Sequence, residues 1–491
     1  MLRQSVYDHS LLDEGPAVWR KAKADRLTPL MENNTYFEAL DEAIEKAEKS
    51  IIILGWQFDP RTRLDPQAPP DQRRYEIGDR LKAMVRNRPE LSVRLLIWRS
   101  PLVIAASQGF YPHKALKLFN KRIVELRLDG VGILGACHHQ KVVIIDDKIA
   151  FCGGGDISVD RWDEEGHYSG DPRRCMPSGL IPSPRHEWMC VLDGEAARDL
   201  AQLARDRWKQ GCGEDLPWVE TDHDPWPQNV EVAFRNVPVG ISRTEPQLKD
   251  RPEVRENEAL HLEAIRRAKS LIYMENQYFT SPLLASAIAD RLVEPDGPEV
   301  VLVSTGRSPS WFDGLTMDTA RAEVLWRLEK ADLYDRFFAF YPVTTLGDRI
   351  IVHAKMTIID DKLMRIGSTN LNNRSMGLDT ECDLSFEATT EEEMARIRYY
   401  RQHSLGHFIG VNAKQFAEAE SLMGSIGRSV ETFGASRMKL MGQRQPTGVE
   451  RMFSEWQLGD PTSSRDAWRP WMRRHLSRST RPVSEGGKAA G

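Results

Sequence analysis

The sequence is short of cysteine, of long apolar runs and of net charge. Its 491 residues include six cysteines, none in a CxxC or another metal-like spacing, so we expect reduced and mostly buried thiols. No apolar run approaches the roughly 20 residues that a membrane-spanning helix needs. The polar, acidic start MLRQSVYDHSLLDEG is unlike a signal peptide. These absences together predict a cytoplasmic protein that meets any membrane from its surface.

The composition is typical of globular proteins. Apolar residues make up 41% of the chain and charged residues 28%, which is enough to bury a sizeable core. The formal net charge of −5 argues against a protein whose main task is to coat nucleic acid, although a local basic cleft is compatible with that total.

An internal repeat organises most of the chain. Residues 36–59 have the pattern of an amphipathic helix that runs into an apolar strand, and residues 256–279 repeat that order. Three further pairs of segments match in the same sequence: apolar strands at 93–98 and 300–305, histidine-containing strands at 139–146 and 353–360, and a closing strand and helix at 187–208 and 381–403. Duplication of one unit explains this order.

Strands that alternate with helices predict an α/β fold in which each half is a mixed β-sheet flanked by helices. Two such lobes are expected to be related by a pseudo-twofold axis, with the active site at their interface. The predicted units are an N-terminal lobe at 28–211, a C-terminal lobe at 229–412 and a helical, then basic, extension at 413–491. The Gly-, Pro- and Ser-rich residues 163–185 are predicted to form a long surface loop.

The spacing H-x-K-x(4)-D-x(6)-G-[GS] occurs twice, at 139–154 and at 353–368. Because side chains alternate along a strand, the histidine and lysine of each copy should share one face and the aspartate should lie on the other. The residues concerned are His139, Lys141 and Asp146 in the first copy and His353, Lys355 and Asp360 in the second. Each copy ends in a corner of small residues that a ligand can approach closely.

Two histidines and two lysines are the groups that cleavage of a phosphodiester requires. Lys141 and Lys355 can neutralise the non-bridging oxygens, while one imidazole attacks phosphorus and the other protonates the leaving oxygen. A carboxylate behind each ring would fix its tautomer and raise its basicity. Glu187 and Glu381 occupy matching positions at the start of the closing strands and are the candidates for this role.

The duplicated motif resembles that of the phospholipase D superfamily, over about residues 28 to 410. The segments GGGDISVDRWD and IYMENQYF are most similar to the branch that hydrolyses phosphatidylcholine. The resemblance implies a metal-independent double displacement with no cofactor and no metal site. His139 would attack phosphorus and form a phosphohistidine, and His353 would protonate the departing alcohol and then activate water.

The resemblance also implies roles for the remaining site residues. The carboxylate of one half would support the histidine of the other, so that Glu381 orients His139 and Glu187 orients His353. Glu187 stands in PRHEW, where the family has aspartate at a longer spacing. The other implied roles are phosphate binding for Asn370, whose counterpart in the first half is Asp156, and structural roles for Asp146 and Asp360.

The expected activity is hydrolysis of the distal phosphodiester bond of a glycerophospholipid, such as phosphatidylcholine, with transfer to an alcohol when one replaces water. The expected partner is phospholipid at a membrane surface, met by a monomer that is cytoplasmic and peripheral to the membrane and has no obligatory nucleic acid. Three alternatives stay open at this point: a phosphatidyltransferase such as cardiolipin synthase, a nuclease of the same superfamily, and a catalytically inactive phospholipid-binding module.

Overall fold

The two halves of the chain contribute to one large β-sheet. The protein is described by a computed structural model over residues 10–67, 76–101, 111, 113–119, 124–130, 132–133, 135–308, 311–442 and 459–463. Within these residues, sixteen strands form a single mixed sheet and two short strands form a second. The predicted basic end of the C-terminal extension lies outside the described residues.

Among its described residues, the first half contributes eight strands, whose order along the chain matches the predicted repeat. They are β1 (Arg20–Met31), β2 (Ser50–Gly55), β3 (Ser92–Trp98), β4 (Val124–Asp129), β5 (Val142–Ile145), β6 (Ile149–Gly153), β7 (Arg185–His186) and β8 (Trp188–Asp193). Its described helices are α1 (Asn33–Lys46), α2 (Ile77–Asn87), α3 (Ala115–Leu118) and α4 (Gly194–Cys212), with a short 3₁₀ turn at Pro172–Arg174.

The second half repeats this arrangement and is followed by further elements. Its strands are β9 (Phe234–Glu245), β10 (Val254–Arg255), β11 (Leu271–Asn276), β12 (Glu299–Ser304), β13 (Phe337–Pro342), β14 (Ile351–Val352), β15 (Lys355–Ile359), β16 (Leu363–Gly367) and β17 (Glu381–Glu387). Its described helices are α5 (Glu256–Arg267), α6 (Pro282–Leu292), α7 (Trp311–Ala331), α8 (Asn373–Gly377) and α9 (Glu391–Ile409). The extension adds α10 (Ala413–Met423), α11 (Ile426–Phe433) and β18 (Met438–Leu440), which pairs with β13.

The strand order shows the duplication directly. The first half runs β1-β8-β6-β5-β2-β3-β4 and the second runs β9-β17-β16-β15-β11-β12-β13, so each strand has a counterpart at the same position. The central strands β1 and β9 pair antiparallel, with Leu27 opposite Phe234, and this pairing joins the two half-sheets. The predicted mixed α/β fold with two related halves is confirmed. The fusion of the halves into one sheet was not predicted, because the pattern of a strand does not reveal its neighbour across the axis.

A shared core holds the halves together. One hydrophobic cluster contains Leu200 and Trp208 of α4 together with Leu405 and Phe408 of α9, packed on strands of both halves. Separate clusters fill the outer part of each half. All six cysteines are free and four are buried, which confirms the prediction for the thiols. Among the described helices, none combines the length and the apolar character needed to cross a bilayer.

The loop at 163–185 departs from the prediction of a surface segment. Apart from the 3₁₀ turn and Arg185, which begins β7, it has no regular structure, but His167, Asp171 and Arg174 are buried. Asp163 anchors it by accepting hydrogen bonds from Arg174 Nη1 at 2.7 Å and from the Arg185 backbone at 2.7 Å. The Gly and Pro content indicated a loop correctly, but it carried no information about which side chains turn inward.

The motif aspartates act on the backbone of their own halves. Asp146 accepts hydrogen bonds from the backbone N–H groups of residues 48, 49 and 50, each at 2.7 Å. Asp360 accepts the equivalent bonds from residues 269, 270 and 271, each at 2.8 Å. Both aspartates have positive φ, 52° and 55°, in tight turns that join the two strands of a hairpin. Each carboxylate therefore fastens this turn to the start of a central strand.

Replacing Asp146 with alanine is expected to lower the free energy of unfolding by about 3 kcal/mol, because three backbone donors lose their acceptor. Urea unfolding followed by circular dichroism measures the change. Asp215→Ala is the matched control, since the Asp215 carboxylate makes an exposed ion pair with Lys209 at 2.9 Å and such pairs contribute about 0–1 kcal/mol. Equal stability of the two variants would contradict a structural role for the first motif aspartate.

Candidate active site

The first predicted histidine is held by the second half of the chain. His139 Nδ1 lies 2.9 Å from Oε2 of Glu381, the fully buried first residue of β17. The backbone N–H of His139 donates to the carbonyl of Thr380 at 3.0 Å. A carboxylate that accepts the Nδ1 proton leaves the lone pair on Nε2, which is the tautomer that a nucleophile needs.

The second histidine is held in the mirrored way by the first half. His353 Nδ1 hydrogen-bonds Oε2 of Glu187, which lies buried between β7 and β8. The backbone N–H of His353 donates to the carbonyl of His186 at 2.8 Å. Thr380 and His186 each precede the acid, so the two halves use the same backbone contact as well as the same side-chain contact.

These contacts explain why the histidine strands are shorter than predicted. The expected strands at 139–146 and 353–360 begin at Val142 and Lys355. Before these points the backbone pairs with the other half, through a bridge between residues 138 and 380 and through the small sheet of β14 and β7. The prediction that both histidines lie on strands of their own sheet is wrong, because their backbone groups bond across the axis instead.

The two motif lysines are buried and point back along their own segments. Lys141 Nζ donates to the carbonyl of His139 at 2.8 Å and lies 3.4 Å from Asp156 Oδ2. Lys355 Nζ donates to the carbonyl of His353. Both side chains are at most 3% exposed. Each lysine is therefore fixed beside the histidine of its motif.

The corner at Gly154 brings groups of both halves together. A Cβ atom at this position would overlap Glu187 Oε1 and would lie 3.1 Å from Lys355 Cδ. Any side chain there would displace the acid of one half and the lysine of the other. The close approach accounts for the small residue in the first copy of the motif.

Burial and charge set the protonation of the site. Burial lowers the pKa of His139 well below its ordinary value, and the charges of Lys141 and Lys355 lower it further. Burial also lowers the pKa of His353 well below its ordinary value, and the charges of Lys355 and Arg185 lower it further. Burial raises the pKa of Glu187 to about 7 and that of Glu381 well above its ordinary range. The protein alone therefore favours neutral imidazoles, and a bound phosphodiester anion would raise their pKa values.

Asn370 and its counterpart Asp156 differ in their contacts. Asn370 is buried after the β16 corner, and its Oδ1 has no hydrogen-bond partner among the described residues. Asp156 Oδ1 accepts from the backbone N–H groups of Trp56 at 2.9 Å and Gln57 at 3.1 Å. Asn370 Oδ1 is therefore available to a ligand, whereas the Asp156 carboxylate accepts hydrogen bonds from the backbone and lies beside Lys141.

The structure adds residues that the sequence did not assign to the site. Ser368 Oγ hydrogen-bonds Glu381 Oε2, the same oxygen that faces His139. Arg161 and Arg185 are buried and lower the pKa of His353 by their charge. The Nε atoms of both arginines have no partner among the described residues. Arg185 stands two residues before Glu187 in PRHEW, and this proximity was the available signal.

A separate buried cluster has the composition of a metal site. The ligand atoms of Glu32, His167, His186 and His407 all lie within 4.8 Å of one another, and no metal site was predicted from the sequence. His186 directly precedes Glu187, so this cluster adjoins the acid that holds His353.

Comparisons with known proteins find similarity to phospholipase D-like proteins. A family model described as "Cardiolipin synthase, PLD-like domain" matches residues 261–401, which include the second motif. Phospholipase D A of Dictyostelium discoideum is 24% identical over 417 residues, covering 72% of this chain and 32% of that protein. Phospholipase D2 of Bos taurus is 26% identical over 444 residues, covering 70% of this chain and 47% of that protein. The chain thus spans less than half the length of these two curated relatives.

Among solved structures, a phosphatidylserine synthase from Haemophilus influenzae Rd KW20 aligns with a TM-score of 0.56 at 13% identity, covering 89% of this chain and 94% of that chain. This similarity shows that the two chains share a fold. The matched domain and the curated relatives support the phospholipase D superfamily, whose duplicated motif this sequence resembles.

Proposed function

We propose that this protein is a phospholipase D that hydrolyses the distal phosphodiester bond of a glycerophospholipid, such as phosphatidylcholine. The observation that carries the proposal is the crossed pairing of His139 with Glu381 and of His353 with Glu187. In both pairs Nδ1 is occupied, so Nε2 is the nitrogen available for chemistry. The two pairs supply a nucleophile and an acid, and the two lysines supply positive charge.

The proposed reaction has two displacements. In the first, His139 Nε2 forms a bond to phosphorus, the bond from phosphorus to the head-group oxygen breaks, and His353 gives its Nε2 proton to that oxygen. In the second, His353 removes a proton from water, the water oxygen bonds to phosphorus, and the bond to His139 breaks. The products are phosphatidate and the free head-group alcohol. An alcohol in place of water gives a new phosphodiester.

The remaining roles follow from position and charge. Lys141, Lys355 and Asn370 would bind the non-bridging oxygens, because the lysines lie beside the histidines and Asn370 keeps an unpaired Oδ1. A single chain contributes both histidines and both acids, which supports a monomer as the active unit. We propose a cytoplasmic enzyme, peripheral to the membrane, that acts on phospholipid at the bilayer surface without an obligatory nucleic acid.

A phosphatidyltransferase is the second candidate. The matched family model carries the name cardiolipin synthase, and the fold is shared with a phosphatidylserine synthase. Both reactions can pass through the same phosphohistidine and differ in whether water or an alcohol accepts the phosphatidyl group. The acceptor therefore separates hydrolase from transferase.

Purified protein is expected to release choline from phosphatidylcholine vesicles, and His353→Ala is expected to lower the rate by about 10²- to 10⁴-fold, the range for loss of a general acid. His403→Ala is the matched control, because His403 lies partly exposed on α9, where it pairs with Glu165. Parallel assays contain other phospholipids, added glycerol or phosphatidylglycerol as acceptors, and single-stranded DNA.

Each outcome of this assay separates the proposed hydrolase from one of the alternative functions. Release only when an alcohol acceptor is present would replace the hydrolase by the transferase, and cleavage of DNA alone would make the protein a nuclease. Equal behaviour of wild type and His353→Ala on every lipid and on DNA would overturn the enzyme proposal and favour a binding module.

A further inference from the structure

Four buried side chains from distant segments converge behind the site. Glu32 follows β1, His167 lies in the loop at 163–185, His186 ends β7, and His407 lies near the end of α9. Their exposed fractions are 1%, 0%, 0% and 7%. None of these residues takes part in the proposed chemistry, and burial of four ionisable groups at one point is costly unless they are compensated.

Three of the distances between the ligand atoms are close to those around a four-coordinate ion. His167 Nε2 lies 3.3 Å from His407 Nε2 and 3.3 Å from Glu32 Oε1, and the distance from His407 Nε2 to Glu32 Oε1 is 3.6 Å. His186 Nδ1 contacts the same Glu32 oxygen more closely. Zinc bonds of about 2.0–2.1 Å in a tetrahedron place neighbouring ligand atoms about 3.3–3.4 Å apart. Three of these separations therefore fit with little movement, and entry of the ion would move His186 outward.

Carboxylates support the outer nitrogens of two of the imidazoles. His167 Nδ1 lies 2.8 Å from Asp163 Oδ2, and His186 Nε2 lies 2.6 Å from Glu275 Oε2. A carboxylate that holds the second nitrogen of a histidine is the usual outer shell of a zinc ligand, because it fixes the ring and raises its basicity. Glu275 is itself held by three buried donors, Tyr273, Trp188 and Ser404.

Hydrogen bonds alone account less well for this geometry. His167 and His186 already occupy the two lone-pair directions of Glu32 Oε1. His407 Nε2 lies 3.6 Å from the same oxygen, beyond hydrogen-bond distance, and His407 Nδ1 has no partner among the described residues. His167 Nε2 and His407 Nε2 also face each other across 3.3 Å. In addition, Glu32 and His167 have positive φ values of 66° and 44°, a conformation that costs about 1–3 kcal/mol and persists where the surroundings impose it.

We propose that the protein binds one zinc ion as a structural metal through four buried side chains, Glu32, His167, His186 and His407. Three imidazoles and one carboxylate in a closed tetrahedral arrangement favour zinc and leave no open position for substrate or water. The ion takes no part in phosphodiester cleavage, so the site does not conflict with metal-independent chemistry at His139 and His353.

The location gives the ion a positioning role. His186 precedes Glu187, and its carbonyl accepts the backbone N–H groups of His353 at 2.8 Å and Ala354 at 3.1 Å. Glu32 donates its backbone N–H to the carbonyl of Glu187 at 2.9 Å. Two of the proposed ligands are thus bonded directly to the segments that carry one acid and one histidine of the site, and the ion would hold them in register.

Metal analysis of the full chain, expressed without a histidine tag in zinc-supplemented medium, tests the site. We expect about one zinc per chain by mass spectrometry of the elements, and four-coordinate cobalt(II) absorption after exchange. His407→Ala is expected to lose most of the zinc and to unfold at lower temperature, while His403→Ala, one turn earlier on α9, retains it. A tight chelator present during thermal unfolding should lower the wild-type Tm towards that of His407→Ala.

Two results would overturn the inference. One is wild-type protein with less than about a tenth of a zinc per chain whose Tm is unchanged by zinc or chelator. The other is full zinc content in folded His407→Ala. Zinc content is measured without substrate, so its failure leaves the proposed phospholipase reaction standing, and a failure of lipid cleavage leaves the metal site standing.

Discussion

His139→Ala is expected to lower kcat for head-group release by about 10⁴-fold or more, because loss of the nucleophile removes the covalent route altogether. The His139 ring is placed by Glu381 and by the Thr380 carbonyl, both from the second half. Removing the ring leaves this support intact, so the expected loss is in kcat rather than in folding. Choline release under saturating lipid, together with urea unfolding of the variant, measures both.

A substrate with a good leaving group separates the roles of the two histidines. p-Nitrophenolate leaves a phosphodiester without a proton from the enzyme, so His353→Ala should still complete the first step and then stall, since the ring that activates water is absent. We expect a burst of about one p-nitrophenol per His353→Ala chain and an acid-labile covalent phosphorus label. His139→Ala should give neither.

The covalent phosphorus label can also contradict the roles assigned to His139 and His353. A covalent label on His139→Ala, together with none on His353→Ala, would exchange the two roles. Absence of a label on every variant, with full lipid cleavage by the wild type, would replace the double displacement by direct attack of water. His403→Ala is expected to behave as wild type throughout.

The repeat made much of the fold predictable, because each half had to form the same strands and helices. Apolar runs such as SIIILG, now the fully buried strand β2, identify central strands directly. The crossed support of each histidine by the opposite acid could be anticipated only from the family resemblance. Geometrically it depends on contacts over 242 and 166 positions, which local patterns do not encode.

Two features of the structure could not be predicted from the sequence, and the physical reason is the same for both. The β1–β9 junction and the cluster of Glu32 with three histidines are each assembled from segments far apart in the chain. His167 stands in a stretch whose glycine and proline content predicts a surface loop, and the one histidine near His407 on its helix, His403, is not part of the cluster. Tertiary packing alone brings these side chains inward.

Replacing Lys355 with methionine is expected to lower kcat/KM at pH 7 by about 10²- to 10³-fold, the loss expected when one group that stabilises the developing negative charge is removed. Methionine preserves much of the buried volume while it removes the charge. Lys362→Met is the matched control, because Lys362 lies exposed, 3.4 Å from Glu387, beyond the strand that Lys355 begins.

The pH dependence of ligand binding tests the role of Lys355 more directly than the change in kcat/KM does. Burial lowers the pKa of Lys355 to about 7, and the charge of Lys141 contributes to the shift. Below that pH the free enzyme already carries the proton. Above it the lysine is neutral, and an anionic ligand must draw a proton from solution in order to restore the charge. Binding at pH 8 should therefore take up about one more proton in the wild type than in Lys355→Met.

Calorimetric titration with a non-hydrolysable phosphonate, in two buffers of different ionisation enthalpy, counts those protons. We expect the difference of about one proton at pH 8 to vanish at pH 6, since Lys355 is charged there before the ligand arrives. Equal proton uptake by wild type and Lys355→Met at pH 8 would show that Lys355 does not take up the proton. If the two proteins also bind the phosphonate with equal affinity, the proposed contact of Lys355 with the phosphate fails.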